Sequence, residues 1–215
     1  MAFYFPEGSA IYFSSTFAAE KTVSALSNAN PAVATSTAHG YSDNDEVLYE
    51  GGWEDYDESV FTVNQTATDN FEFLGMNATN TTFYPAGSGT GTAKKISSWV
   101  QVPQVLSVSS EGGDTRFTDV QLLAKRNAQV IPTGFTATRI IMSLAHDPDD
   151  ANYVSMLDIA RASTKVALKM TIGGGAVLYG YGYMTVNEMP SLNVNQVNSV
   201  QASIALQGRL LSYAL

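Results

Sequence analysis

The sequence predicts a mainly β protein: a β-sandwich or curled sheet with one flanking α-helix and a small inserted β module. Three observations carry this expectation. β-branched and aromatic residues recur in short runs along most of the 215 residues, as in strands that pack on a pleated surface. Gly, Asn and Asp separate those runs, and these are the residues that accept turn conformations at low cost. A single segment changes to a three- and four-residue apolar spacing and carries helix-start chemistry.

The elements follow in chain order. Residues 10–17, Ala-Ile-Tyr-Phe-Ser-Ser-Thr-Phe, come after a Pro-Glu-Gly turn and read as the strand that opens the main domain. Between residues 20 and 98 the texture changes to short Thr-, Val- and Phe-bearing runs, with strands expected near 31–36, 46–49, 59–64 and 70–74. Gly40, Asp43-Asn44, Gly51-Gly52 and Asp69-Asn70 mark the turns between them. The alternating glycines of residues 86–93 read as a flexible loop that closes the module, not as a phosphate cradle. The expected division is therefore a main β-sandwich domain of residues 1–19 plus 99–215, interrupted by a small β domain of residues 20–98.

Beyond Trp99, strand-like runs cover 99–109, 119–123, 136–144, 166–172 and 176–186, and the final run, 196–213, is the longest. Gly173-Gly174-Gly175 reads as a hairpin turn. In the last run Ser199, Gln201 and Ser203 alternate with Val200, Ala202, Ile204 and Leu206, which places one apolar face on a core. Residues 108–131, with Glu111-Gly112-Gly113-Asp114, Arg116, Lys125 and Arg126, read as a long hairpin or extended loop, either a mobile surface loop or an arm reaching a neighbouring subunit. The one helix is expected to be capped by Asp147, with Pro148 at the first helical position and Asp149 and Asp150 at the positive end of the dipole. Tyr153, Met156, Leu157 and Ala160 would form its apolar stripe, and Arg161 and Lys165 would lie near its negative end.

Composition narrows the function. Charged residues make up 14% of the chain, well below the roughly 25% of ordinary soluble domains. Eleven Tyr, ten Phe and seven Met match the charge-poor, aromatic-rich centres of homo-oligomer interfaces. A net charge of −9 and a pI near 4.5 argue against a groove that grips phosphate. Asp43, Asp45, Glu46, Glu50, Glu54, Asp55, Asp57 and Glu58 cluster where no basic residue falls, and are expected on an exposed face. With no cysteine there is no disulfide framework, thiol nucleophile or Cys-type zinc site. The N-terminus lacks the basic stretch of a signal peptide and no apolar run spans a bilayer, so synthesis and first use in a cytoplasm are expected.

Candidate chemistry is sparse. His39 and His146 lie outside any nucleophile signature and are expected in turn and helix-cap roles. Asp147, Asp149 and Asp150 lack the later bidentate Glu of a calcium loop, and Glu54 and Asp57 are acidic residues without a constellation. No catalytic, cofactor-binding or metal residue is assigned, no cofactor is expected, and a hydrolase is the weakest reading. Asn77 and Asn80 open N-x-T patterns that match glycosylation acceptors by chance. Tyr41, Tyr49, Trp53 and Tyr56 admit two readings: the core of the small module, or the gripping face of a carbohydrate-binding or adhesin-like module on a virion surface.

Several stretches together resemble one family. Ile131-Pro-Thr-Gly-Phe-Thr-Ala, then Leu-Ala-His-Asp-Pro-Asp-Asp at 144–150 leading to Tyr153, Leu157 and Ala160, is similar to the strand-to-helix passage of major tail tube proteins of long non-contractile-tailed phages. Gln201-Ala-Ser-Ile-Ala-Leu-Gln-Gly-Arg-Leu resembles their last strand. Residues 38–47, followed by Phe61-Thr-Val and Phe71-Glu-Phe, resemble a small β module of phage structural proteins. The resemblance implies a β-sandwich tail tube fold and a non-enzymatic subunit whose sheets join into hexameric rings that stack into a tube. The implied partners are further copies of the chain, a tape measure protein in the lumen, tail terminator and tail-tip proteins, and double-stranded DNA in transit without specific binding; no membrane is implied. The implied location is the virion tail, after assembly in host cytoplasm. An acidic lumen would let DNA slide, the acidic cluster of the module is expected outside the tube, and residues 1–8 and 108–131 are expected to order on stacking.

Overall fold

A computed structural model describes residues 8–173, 175–192 and 194–214. After β1 (Ala10–Ser14) the chain leaves to build a sheet of its own from β2 (Lys21–Val23), β3 (Ala25–Leu26), β4 (Ala32–Thr35), β5 (Glu46–Gly51), β6 (Ser59–Ala67), β7 (Asn70–Phe73) and β8 (Gly91–Lys95). Their order is β2-β8-β5-β6-β7-β4-β3. Only Ser24 separates β2 from β3, and its N–H donates to the Thr35 carbonyl, so one bent strand pairs β8 with its first half and β4 with its second. β6 turns the other corner: Ser59 to Thr62 face β5, while Val63 to Ala67 face β7. The sheet thus closes into a barrel without open edges. Its interior holds Tyr41, Tyr49, Trp53, Tyr56, Phe61, Phe71 and Phe73.

The main sheet takes up β9 (Val100–Gln101), β10 (Val105–Glu111), β13 (Arg139–Ala145), β14 (Lys165–Ile172), β15 (Ala176–Val186), β16 (Ser199–Leu206) and β17 (Leu211–Ala214), while β11 (Thr115–Val120) and β12 (Gln129–Phe135) form a separate hairpin. The strand order is β10-β13-β16-β15-β14-β1-β9, with β17 on the free part of β15. Helix α1 (Ala151–Arg161) covers the concave side, where Tyr153 and Met156 join Phe13, Met142, Leu144, Leu168, Met184 and Ile204 in the core. The mainly β fold with one flanking helix is as the sequence predicts.

Five local expectations need correction. The run 119–123 holds only the end of β11, which starts at Thr115 and stops at Val120. The run 99–109 is two strands, because Pro103 has no N–H for a ladder and Gln104 sits at φ 46°. Residues 86–93 are not all loop: β8 begins at Gly91 and pairs with both β2 and β5. The run 196–213 also breaks, since Gly208 crosses to the barrel, where a Cβ would stand 2.0 Å from the Glu58 carbonyl oxygen; the longest strand is therefore β15. Finally, the helix starts one turn later than expected. Asp150, not Asp147, is its cap, and its Oδ1 accepts from the N–H groups of Asn152 and Tyr153 at 2.8 and 2.9 Å. Asp147 instead closes a turn with the Asp149 N–H and receives Gln104 Nε2; Lys165 belongs to β14. β14 and β15 pair up to Ile172 opposite Ala176; of the glycine triplet expected as the turn between them, Gly174 lies outside the described residues, as do residues 1–7.

Candidate assembly interface

The barrel and the main sheet meet over a third apolar cluster, in which Leu48, Val60 and Ile96 of the barrel pack against Ala167, Val177, Tyr179 and Tyr181. One carboxylate organises its rim. Glu46 accepts from Lys169 Nζ and from the Tyr179 hydroxyl, both at 2.6 Å, and from the indole N–H of Trp99. The Lys169 ammonium lies over the Trp99 and Tyr179 rings, 5.6 and 5.9 Å from their centroids. Glu58 pairs with Lys165 beside it, which holds that ammonium above the ordinary lysine range. Burial, with Glu46 adding to it, pushes the Tyr179 hydroxyl upward.

This joint overturns the exposed acidic face. Asp45 and Glu50 are taken up by Lys95 and Lys94, Asp57 accepts the Gly51 N–H, and only Asp43, Glu54 and Asp55 of the cluster are exposed. The signal that could have disclosed it is a pair of lysines, 165 and 169, four residues apart in an otherwise apolar strand and hence on one face. β17 completes the joint. Tyr213 donates its hydroxyl to the Leu74 carbonyl at 2.7 Å, its ring meets Tyr179 edge-on, and burial raises its pKa to about 12. Leu211 packs against the barrel core.

The other singled-out residues have structural roles. His39 is buried; the Tyr41 N–H donates to its Nδ1, so the proton sits on Nε2 and is given to the Ala67 carbonyl. His146 Nδ1 meets the Tyr153 hydroxyl at 3.0 Å, beside the helix start. Tyr41, Tyr49, Trp53 and Tyr56 are at most 4% exposed, so the ligand-gripping reading of these four is corrected: they fill the barrel. Asn77 and Asn80 use their side-chain oxygens in turns with Thr79 and Thr82. Among the described residues no three His, Cys, Asp or Glu side chains group to hold a metal, and no helix is long and apolar enough to cross a membrane.

What the surface does offer is an arm and two sheet ends. β11 and β12 pair with each other over six residues of β11, from Thr115 opposite Phe135 to Val120 opposite Gln129. Phe117, Val130 and Phe135 on this ribbon are 62, 62 and 71% exposed, and Leu123 at its tip is fully exposed. An isolated two-stranded ribbon is marginal in water, and exposed apolar surface of this kind marks contact with another chain. The strand order ends at β10 and β9, which leaves two further edges for pairing.

Fold and surface together define a structural β-protein with a projecting apolar arm. The family model described as phage tail tube protein matches residues 51–215; the chain belongs to this family, and it is a structural subunit of the phage tail tube. A solved structure described as the tail of an empty GTA particle, with C6 symmetry, is similar at a TM-score of 0.43 and 13% identity, over 55% of this chain and 88% of that one. No curated protein matches the chain.

Proposed function

We propose that copies of this chain join into hexameric rings that stack into the conduit for genome delivery, with no catalytic step. The observation that carries the reading is the exposed apolar arm of β11 and β12 in a member of the tail tube family. Residues 1–19 and 99–215 form the tube domain and residues 20–98 an inserted module, held in one orientation by the Glu46 joint and the β17 clasp. The barrel closure of the module supports that division, because a closed sheet keeps its own core.

The channel side is assigned to the outer face of β10, β13 and β16, the part of the main sheet that the barrel leaves uncovered. There Ser107 stands opposite Ser143 and Ser143 opposite Gln201, while Ser109, Ile141 and Ser203 form the next row. DNA and a tape measure protein would slide over hydroxyls and amides, with Arg139 opposite Glu111 at the far end of that face. Tail terminator and tip proteins would cap the two ends, and assembly takes place in host cytoplasm. Negative-stain microscopy and analytical ultracentrifugation over rising concentration test the reading. Rings or hollow tubes are expected, and a monomer at every concentration, even with an assembly initiator, counts against it.

A further inference from the structure

The main sheet curls so that its two end strands, β9 and β10, are joined by only Val102, Pro103 and Gln104, yet they do not close on each other. Between them lies a cleft of about 500 Å³, lined by Ile11, Val105, Leu106, Val108, Met170 and Ile172 among others. Register makes the cleft an opening into the core. Val105 stands opposite Leu144 and Val108 opposite Met142, both fully buried partners on the concave face, whereas Val108 is 42% and Leu106 53% exposed. Core-facing side chains are thus left uncovered along one seam, beside two strands at the ends of the ladder.

The same chain carries a matching apolar knob that it does not place there. At the tip of the arm, between Val120 and Gln129, Leu122 is 45% exposed and Leu123 fully so. The cleft lies at the Val105 end of β10, and the arm leaves from the Glu111 end, through Gly112 and Gly113 at φ 81° and 80°. β10 is about 20 Å long, and each arm strand adds about as much. Knob and cleft are different patches of one molecule, so a contact between them is head-to-tail, the kind that builds rings or filaments and does not stop at a dimer.

We infer that Leu122 and Leu123 at the arm tip of one copy occupy the cleft between β9 and β10 of the next. The inference rests on the tube reading for its occupant, a second copy of this chain, and goes beyond it by naming donor and acceptor.

The absence of cysteine gives a direct test. Leu123→Cys and Leu106→Cys are combined in one chain, the protein is concentrated to assembly, and a mild oxidant is added. The expected result is a ladder of covalent multimers on non-reducing gels, which collapses on reduction, while each single variant stops at dimer or below. Assembled double variant that gives no ladder overturns the contact and leaves the tube reading standing. Wild-type protein that never forms rings or tubes counts against the tube reading, and the ladder at high concentration still decides the contact. Should the double variant fail to assemble, Leu123→Asp and Val108→Asp decide. Leu123→Asp, at a fully exposed position, is expected to keep the wild-type melting temperature, and each variant, compared where it is folded, to weaken assembly about tenfold or more, the loss of one buried leucine or valine contact; unchanged assembly in both overturns the inference.

Discussion

Glu46 is the residue on which the two halves of the chain depend most, because three donors from the main domain converge on its one carboxylate. Glu46→Gln keeps an acceptor for Tyr179 but turns its NH2 towards the indole N–H of Trp99, which then lacks an acceptor, and leaves the Lys169 ammonium uncompensated. It is expected to cost about 2 kcal/mol, and Lys169→Met added to it should recover part of that loss; urea unfolding of the two variants measures both. Tyr213 is the second such residue, and its titration has a definite sign. Its folded pKa of about 12 lies above the ordinary tyrosine value of 10.0, so its contribution is complete below pH 10 and is lost as pH rises from 10 towards 12. Tyr213→Phe is expected to lower stability at neutral pH by about 1 kcal/mol, through the unmet Leu74 carbonyl, and to show a shallower loss over that alkaline window in melting curves.

Among the elements, α1 and the arm make separate expectations. The cap hydrogen bonds of α1 come from Asp150, so Asp150→Ala should lower stability by about 1 kcal/mol and Asp147→Ala by clearly less; equal effects in thermal melts would contradict the assignment. The arm can be removed where the chain already closes below it: the Thr136 N–H donates to the Asp114 carbonyl at 2.9 Å, and the Asp114 N–H to the Thr136 hydroxyl at 3.0 Å. Deletion of residues 115–135 is therefore expected to leave melting nearly unchanged, within about 0.5 kcal/mol, and to abolish rings and tubes in the microscope. A strongly destabilised deletion would show that the arm supports its own subunit.

At the scale of the whole molecule, the barrel formed by β2 to β8 has a closed sheet and an aromatic core that the main sheet only touches. Expressed alone, it is expected to unfold in one cooperative transition, with a lower midpoint than in the full chain because Leu48, Val60 and Ile96 lose their cover. The main domain without it exposes Tyr179, Tyr181 and Tyr213 and should aggregate. Burial raises the hydroxyls of Tyr41 and Tyr49 as well as Tyr179, so the complete chain should lose stability steeply once pH passes about 10.

Much of this was legible in the residues. Alternation in Val200, Ala202 and Ile204 against Ser199, Gln201 and Ser203 placed one face of β16 inward, because side chains on a strand point to opposite sides whatever it pairs with. Val and Tyr in 176–186 marked β15 to the residue, and the low charge with many Tyr, Phe and Met pointed to a life in assembly. The tail tube family was readable from passages such as 144–150 and 201–210, which lie within the matched stretch. Other features depend on partners distant in sequence. Asp147 followed by Pro148 reads as the cap on local grounds, yet Asp150 takes that role, while Asp147 receives Gln104, 43 residues away. Glu46 and Lys169 are 123 residues apart, so nothing local distinguishes them from solvated charges; only closure of the barrel against β14 brings them together. The seam between β9 and β10 likewise comes from how far the sheet curls, a property of all its strands at once that the sequence of any one of them does not contain.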